Sequence, residues 1–227
     1  MCRHLAYLGP QVTLRSVLTD PPYGLLRQSW APRQQKHGTV NADGFGVGWY
    51  AAGDPVPARY RRAVPMWGDA SFADLVRVTR TRALLAAVRS ATDGTAQVEA
   101  AAAPYAAGPW LFSHNGTLDG WPDATAGLAA TLPAAELLAL EARADSALAW
   151  ALVLHRLRAG EGPADAPLDD PLAGEFLQNI REAAHLVAMK CSGRKFDPHA
   201  AVSGLALKHQ IVLGPAVVFR IRLRTSR

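Results

Sequence analysis

The chain carries, at residues 41–50, the stretch Asn-Ala-Asp-Gly-Phe-Gly-Val-Gly-Trp-Tyr. Its first four residues are typical of a turn, and the rest alternates glycine with large apolar residues, which predicts a strand. Successive side chains of a strand point to opposite faces, so the glycines leave one face bare. A bare face lets another backbone or a ligand approach closely. No helix start follows the glycines, so the stretch is not a dinucleotide-binding fingerprint.

Apolar patterns elsewhere predict further strands and helices. We expect strands at residues 2–8, 84–89 and 110–113, the last leading into a Ser-His-Asn-Gly sequence at residues 113–116. Helical patterns occupy residues 69–82, 133–155 and 175–190. Strands followed by helices, with strands expected again at the end, indicate an α+β fold.

The composition is that of a globular protein. Of the 227 residues, 49% are hydrophobic and 19% charged, which is enough for a substantial core. Cys2 and Cys191 are the only cysteines, so we expect no disulfide framework and no structural zinc, and a reducing cytoplasm suits such a chain. The histidines do not fall at metal-ligand spacing, and we expect neither metal nor cofactor. We also expect no signal peptide and no membrane association, because residues 211–219 form too short an apolar run to span a bilayer.

The formal net charge of +5 is unevenly distributed. Residues 1–180 contain 15 basic and 17 acidic residues, whereas residues 181–227 contain 9 basic and 2 acidic ones. A basic segment is able to bind nucleic acid, but this one has only Phe196 and Phe219 as aromatic residues. We therefore expect no nucleic-acid partner. The same change in charge divides the chain into a domain at residues 2–185 and an atypical basic segment at residues 186–227.

Cys2 follows Met1 directly in the opening Met-Cys-Arg-His-Leu. Removal of Met1 would leave one residue with both a thiol and an α-amine. An α-amine titrates near pH ~7.7–8.0, so a useful fraction is unprotonated at neutral pH. Such an amine is able to take the proton of the thiol and later return it to a leaving group. Cys2 is therefore a candidate nucleophile that carries its own base.

Three other positions have a chemical and a structural interpretation. The Asn115-Gly116 pair offers a side-chain amide and a backbone N–H for an oxyanion hole, but the same pair is common in tight turns. Arg89 ends an apolar strand and suits a bidentate carboxylate contact, or it reaches solvent. Asp145 precedes an apolar helical run, where it would bind an ammonium group or cap the helix.

Taken in their order along the chain, these features resemble the class II glutamine amidotransferases, which are N-terminal nucleophile hydrolases. The resemblance covers residues 2–155. It rests on five blocks, at residues 1–5, 34–49, 87–92, 113–116 and 145–146. Residues 20–22, 28–29 and 67–69 resemble, more narrowly, the amidohydrolases of ergothioneine biosynthesis, which remove a γ-glutamyl group.

The resemblance implies an αββα four-layer sandwich and cleavage of a small γ-glutamyl amide through a thioester. Cys2 would attack the γ-carbonyl carbon, with its α-amine as base and then as acid. Asn115 and Gly116 would hold the oxyanion, Arg89 the α-carboxylate and Asp145 the α-ammonium group. The remaining residues expected to line the site are Thr92 and His114.

The resemblance also leaves alternatives. The later strands of the family are not recognisable after about residue 185, so the sandwich is expected to be atypical, and to lack strands, in its C-terminal part. One alternative function is a glutaminase subunit that supplies ammonia to a partner synthase. Another is a γ-glutamyl-binding protein without turnover. The sequence predicts no oligomeric state.

Overall fold

The computed structural model describes residues 2–33, 40–118, 120–159 and 185–190. Within these ranges the strands are β1 Arg3–Thr13, β2 Phe45–Trp49, β3 Ala58–Arg62, β4 Arg80–Val88, β5 Tyr105–Ala107, β6 Trp110–Asn115 and β7 His185–Lys190. The helices are α1 Leu14–Leu18, α2 Leu25–Trp30, α3 Phe72–Val78, α4 Ala126–Ala129, α5 Ala134–Leu138 and α6 Asp145–Arg158.

The strands form two antiparallel sheets. The first has the order β1-β4-β2-β3 and the second the order β5-β6-β7. β4 is buried on both faces because its apolar residues run without interruption from Ala83 to Val88. Leu84, Ala86 and Val88 face the helices α1–α3, whereas Leu85 lies between the sheets against Leu111.

Three apolar clusters define the layers. The first joins α1, α2 and α3 to the outer face of the first sheet. A small cluster that includes Leu85 and Leu111 fills the space between the two sheets. The third joins α4, α5 and α6 to the second sheet, with Phe112 stacked on Trp150 at 5.0 Å between ring centroids. The predicted α+β fold with αββα layers is therefore confirmed.

The glycines of β2 have the role that the sequence predicts. A Cβ on Gly46 would collide with the backbone carbonyl of Ala103, and a Cβ on Gly48 would lie 2.8 Å from the side chain of Leu111. The bare face of β2 thus admits the backbone before β5 and a core side chain of β6. Without this close approach the second sheet would be pushed away from the first.

Two arginines of β3 form hydrogen bonds to the segments that precede β5 and α6. Arg59 Nη1 donates to both carboxylate oxygens of Glu141 at 3.0 and 3.1 Å, and Arg61 Nη2 donates to Glu141 Oε2 at 2.7 Å. Arg61 Nη1 donates to the carbonyls of Ala100 and Ala102 at 3.1 and 3.4 Å. β3 therefore holds both the segment before β5 and the segment before α6.

Some predicted boundaries are wrong. The helix expected at residues 175–190 is a strand at its end, because His185–Lys190 pairs with β6 as β7; residues 175–184 lie outside the described residues. The four apolar residues at 186–189 are too few to distinguish a helix from a strand by their period, and the open edge of β6 decides between them. The helix expected at 133–155 is interrupted between α5 and α6, and the one expected at 69–82 is helical only as α3.

The division of the chain at residues 185 and 186 stays a prediction. Of the basic segment, only residues 186–190 are described, and they belong to β7. Residues 191–227, with Cys191, lie outside the described residues.

We expect Gly46→Ala to lower the free energy of unfolding by about 1–3 kcal/mol, because the added methyl group overpacks the contact with Ala103. Urea denaturation measures this difference. The matched control is Gly127→Ala in α4, where a Cβ meets no atom within 4 Å. That change is expected to be neutral or to stabilise by up to about 1 kcal/mol. Equal effects of the two substitutions would contradict the role given to Gly46.

Candidate active site

Cys2 lies at one end of the space between the sheets. Side chains alternate along β1, with Leu5 in the outer apolar cluster and Ala6 between the sheets. Cys2 shares the parity of Ala6 and therefore the inner face. Its Sγ accepts a hydrogen bond from the Ser90 N–H at 3.3 Å and donates to the Ser90 carbonyl at 3.3 Å.

The thiol opens onto a cleft of about 410 Å³. Six of the seven site residues predicted from the sequence line it, namely Cys2, Arg89, Thr92, His114, Gly116 and Asp145. They come from the start of β1, the end of β4, the end of β6 and the start of α6. Residues far apart in the sequence therefore surround one space.

Arg89 follows β4 and is held by the turn before β2. Its backbone N–H donates to the Gly44 carbonyl at 2.8 Å, and the Asp43 N–H donates to the Arg89 carbonyl at 3.2 Å. The side chain is only 7% exposed. Nη1 donates to the Asp43 carbonyl at 3.3 Å and Nη2 to the Thr95 hydroxyl at 2.8 Å. Both acceptors are neutral, and among the described residues Arg89 forms no ion pair.

Asp145 is the first residue of α6 and is 3% exposed. Oδ1 accepts the Ser146 N–H at 2.8 Å, while Oδ2 accepts the Leu118 N–H at 3.2 Å and the Thr92 hydroxyl at 3.3 Å. A negative charge at this position interacts favourably with the positive end of the helix dipole. In the described part of the chain no cation pairs with Asp145. The carboxylate accepts a backbone N–H of the first turn of α6, and its negative charge is still without a cationic partner among the described residues.

An uncompensated charge in a protein interior is costly. The cleft has one of each sign, the guanidinium of Arg89 and the carboxylate of Asp145. Both act on the thiol, because the charge of Arg89 lowers and that of Asp145 raises the pKa of Cys2. This arrangement suits a ligand that carries an anion and a cation a short distance apart.

The Cys2 thiol would have to lose its proton to a base before it could act as a nucleophile. Burial raises the pKa of the thiol above its ordinary value, and the hydrogen bond from the Ser90 N–H opposes this only in part. The thiol is therefore protonated at neutral pH. Among the described residues the hydrogen bonds of Sγ go only to the backbone of Ser90. If the thiol acts as a nucleophile, its base has to be a group other than those that hydrogen-bond Sγ here.

His114 is buried and neutral. Burial lowers its pKa to about 4, against the opposing effect of the Asp145 charge. Nδ1 lies 2.9 Å from the Ser146 hydroxyl, and Nε2 has no hydrogen-bond partner within the described ranges. His114 therefore contributes shape and polarity to the wall of the cleft, not charge.

Asn115 is the predicted site residue that does not line the cleft. It ends β6, between His114 and Gly116, which both do. Its Oδ1 is buried and has no hydrogen-bond partner in the part of the chain described. The oxyanion role of its side chain stays a prediction, whereas the position of Gly116 in the wall is observed.

Sequence reasoning missed two contributors. Tyr105 lines the cleft from β5 and donates its hydroxyl to the Ala101 carbonyl at 3.1 Å; burial raises its pKa well above the ordinary value. No sequence signal marks it. Thr95 supports Arg89, and the Asp-Gly dipeptide at residues 93–94 could have revealed it, because this pair predicts a turn that returns the chain.

Other kinds of site find no support in the described ranges. They contain no group of three or more histidine, cysteine, aspartate or glutamate side chains placed to hold a metal ion. They also contain no helix with the length and hydropathy needed to cross a bilayer.

Comparisons with known proteins identify the family of the chain. A family model of class II glutamine amidotransferases matches residues 17–203. Over 156 residues the chain is 46% identical to a gamma-glutamyl-hercynylcysteine sulfoxide hydrolase from Mycolicibacterium smegmatis, covering 69% of this chain and 63% of that protein. Over 119 residues it is 50% identical to the protein of the same name from Mycobacterium tuberculosis, covering 52% of this chain and 50% of the relative. The chain thus spans between half and two thirds of these relatives.

A solved structure gives the corresponding result for the fold. It is a glutamine aminotransferase class-II domain protein from Silicibacter pomeroyi, 20% identical in sequence, with a TM-score of 0.52 over 84% of this chain and 73% of that one. This likeness supports the shared architecture of the two proteins.

The low pKa of His114 predicts a pH-dependent stability. The unfolded chain binds a proton near the ordinary value of 6.5, whereas the folded chain binds it near pH 4, so stability is complete above 6.5 and is lost as the pH falls towards 4. The loss attributable to His114 is up to about 3 kcal/mol. In urea denaturation between pH 7.5 and 4.5, His114→Asn is expected to flatten the profile. An unchanged profile would refute a buried neutral imidazole.

Proposed function

The chain belongs to the class II glutamine amidotransferases, and from this membership we propose that it is an amidohydrolase that cleaves a γ-glutamyl amide. The observation that carries the proposal is the pair of buried charges of Arg89 and Asp145, which line the cleft together with Cys2 and form no ion pair among the described residues. A γ-glutamyl group has an α-carboxylate and an α-ammonium group beside its amide. The charges of the cleft are the complement of that group.

The roles of the residues follow from their positions. Arg89 binds the α-carboxylate, because its guanidinium offers parallel donors that match two carboxylate oxygens. Asp145 binds the α-ammonium group. With both ends of the amino acid fixed, the γ-carbonyl carbon is presented to Cys2 Sγ. Thr92, whose hydroxyl donates to Asp145, orients the carboxylate that receives the ammonium group.

The reaction proceeds in two halves. After Met1 is removed, the α-amine of Cys2 takes the thiol proton, and Sγ attacks the γ-carbonyl carbon. The side-chain amide of Asn115 and the backbone N–H of Gly116 stabilise the oxyanion. The amine then gives its proton to the leaving nitrogen, the C–N bond breaks, and a glutamyl thioester remains on Cys2. The amine next takes a proton from a water molecule, whose oxygen adds to the thioester carbonyl carbon. The C–S bond then breaks, glutamate is released, and the amine returns the proton to Sγ.

The natural substrate proposed for this site is γ-glutamyl-hercynylcysteine sulfoxide. The names of the two mycobacterial relatives support this choice. The reaction would then be a step of ergothioneine biosynthesis and would take place in the cytoplasm, a compartment that suits a chain with only two cysteines.

The first test combines intact mass with turnover. We expect the purified protein to lack the mass of Met1 and to release glutamate from a γ-glutamyl amide. Cys2→Ala is expected to lower turnover at least about 10³-fold, because the nucleophile is gone. Processed protein without turnover would instead favour a γ-glutamyl-binding protein. Glutaminase activity that appears only with an added synthase would favour an ammonia-supplying subunit.

A second test uses substrates that lack one charge. A glutaryl amide has no α-amine, and a 4-aminobutyryl amide has no α-carboxylate. We expect Arg89→Gln to lower kcat/KM about 10- to 100-fold for the γ-glutamyl and glutaryl amides, and Asp145→Asn to do so for the γ-glutamyl and 4-aminobutyryl amides, because each variant loses one charged hydrogen bond. If both variants impaired all three substrates equally, the assignment of the charges would be wrong.

A further inference from the structure

A single turn connects the two charges of the cleft. In the segment Thr92-Asp93-Gly94-Thr95, the Thr95 N–H donates to the Thr92 carbonyl at 3.1 Å. Gly94 has φ +76°, a conformation that favours glycine at the third position of such a turn. The turn brings the side chain of Thr95 back towards the end of β4.

The Thr95 hydroxyl is fully oriented. It donates its only proton to the Thr92 carbonyl at 2.6 Å, and it accepts a hydrogen bond from Arg89 Nη2 at 2.8 Å. A hydroxyl has one proton and two lone pairs. Because the proton is committed to the turn, a lone pair is directed at the guanidinium. The Thr95 hydroxyl therefore cannot donate its proton to another group without losing its hydrogen bond to the Thr92 carbonyl.

The other end of the turn reaches the anion. The Thr92 hydroxyl donates to Asp145 Oδ2 at 3.3 Å. The hydrogen bonds therefore run from Arg89 through Thr95 to the backbone of Thr92, and from the side chain of Thr92 to Asp145. The spacing of the buried cation and the buried anion depends on this turn.

We propose that Thr95 is a positioning residue for recognition of the α-carboxylate, and this inference rests on the proposed function. Thr95 does not line the cleft and acts through Arg89. Besides Thr95, the guanidinium hydrogen-bonds only the Asp43 carbonyl among the described residues, at 3.3 Å. Removal of the hydroxyl leaves Arg89 in place but lets the guanidinium rotate about its long side chain.

The decisive variant is Thr95→Val, which has nearly the shape of threonine and retains the backbone N–H that closes the turn. For a γ-glutamyl amide we expect KM to rise about tenfold with kcat changed less than twofold, because the variant weakens a bond to a charged group that binds the substrate. For a 4-aminobutyryl amide, which has no α-carboxylate, we expect no change in kcat/KM. Thr95→Ser is expected to restore the wild-type KM.

Two controls separate positioning from general damage. Asp93→Asn, in the exposed part of the same turn, is expected to leave both substrates unaffected. Thermal unfolding of Thr95→Val is expected to remain a single cooperative transition with its midpoint above the assay temperature, so that the loss of affinity is measured on folded protein. Inhibition by L-glutamate gives a second readout, since its inhibition constant should rise with the KM of the γ-glutamyl amide.

The outcomes distinguish this inference from the proposed function. If Thr95→Val impaired both amides equally, or Thr95→Ser behaved like Thr95→Val, Thr95 would have a structural role only and the inference would be overturned. An unchanged KM in Thr95→Val would overturn it as well. If the processed wild-type protein neither hydrolysed a γ-glutamyl amide nor bound L-glutamate, the proposed function itself would fail.

Discussion

The register of the first sheet at Val88 determines the geometry of the site. Val88 is the last residue of β4 and is paired on one side with Arg3 and on the other with Phe45. The residue before Arg3 is Cys2, the residue before Phe45 is Gly44, and the residue after Val88 is Arg89. Three parts of the site therefore meet because three strands end at the same level. A slip of one residue would turn every side chain of a strand to the opposite face.

The second sheet supplies the opposite wall, and its distance from the first is set by the bare face of β2. Gly46 admits the backbone of Ala103, and β5 and β6 follow directly. Glu141, which accepts hydrogen bonds from two arginines of β3, holds the segment that leads into α6. The Asp145 carboxylate then closes the wall, since it binds the Leu118 N–H beyond the end of β6. The charges of the cleft thus rest on interactions between sequentially distant segments.

The extent to which the sequence predicts this arrangement depends on the range of the interactions. The glycines of β2 and four of the cleft residues carry a local signal, at the start of the chain, a strand end, a turn or a helix start: Cys2, Arg89, Gly116 and Asp145. The other two, Thr92 and His114, were expected only from the resemblance to the family. The Asp-Gly pair at residues 93–94 predicts a turn, but Thr95 was missed because the turn alone does not show that its hydroxyl meets the guanidinium of Arg89. The break before α6 escaped for a similar reason: Glu141 meets arginines some 80 positions away. The pairing of β7 with β6 is equally non-local.

The two uncompensated charges also explain how the cleft would select its ligand. A γ-glutamyl group recovers the cost of both buried charges at once, whereas a simple amide recovers neither. A ligand with only one complementary charge leaves the other charge buried and unpaired, and removal of one partner from a buried pair is strongly unfavourable. Selectivity therefore arises from the free-energy cost of the two buried charges in the absence of ligand as much as from the contacts that a ligand adds. The two charges act on the pKa of Cys2 in opposite directions. Neutralisation of both by a ligand would therefore still leave the thiol dependent on a base, the role that the proposed mechanism gives to the α-amine of Cys2.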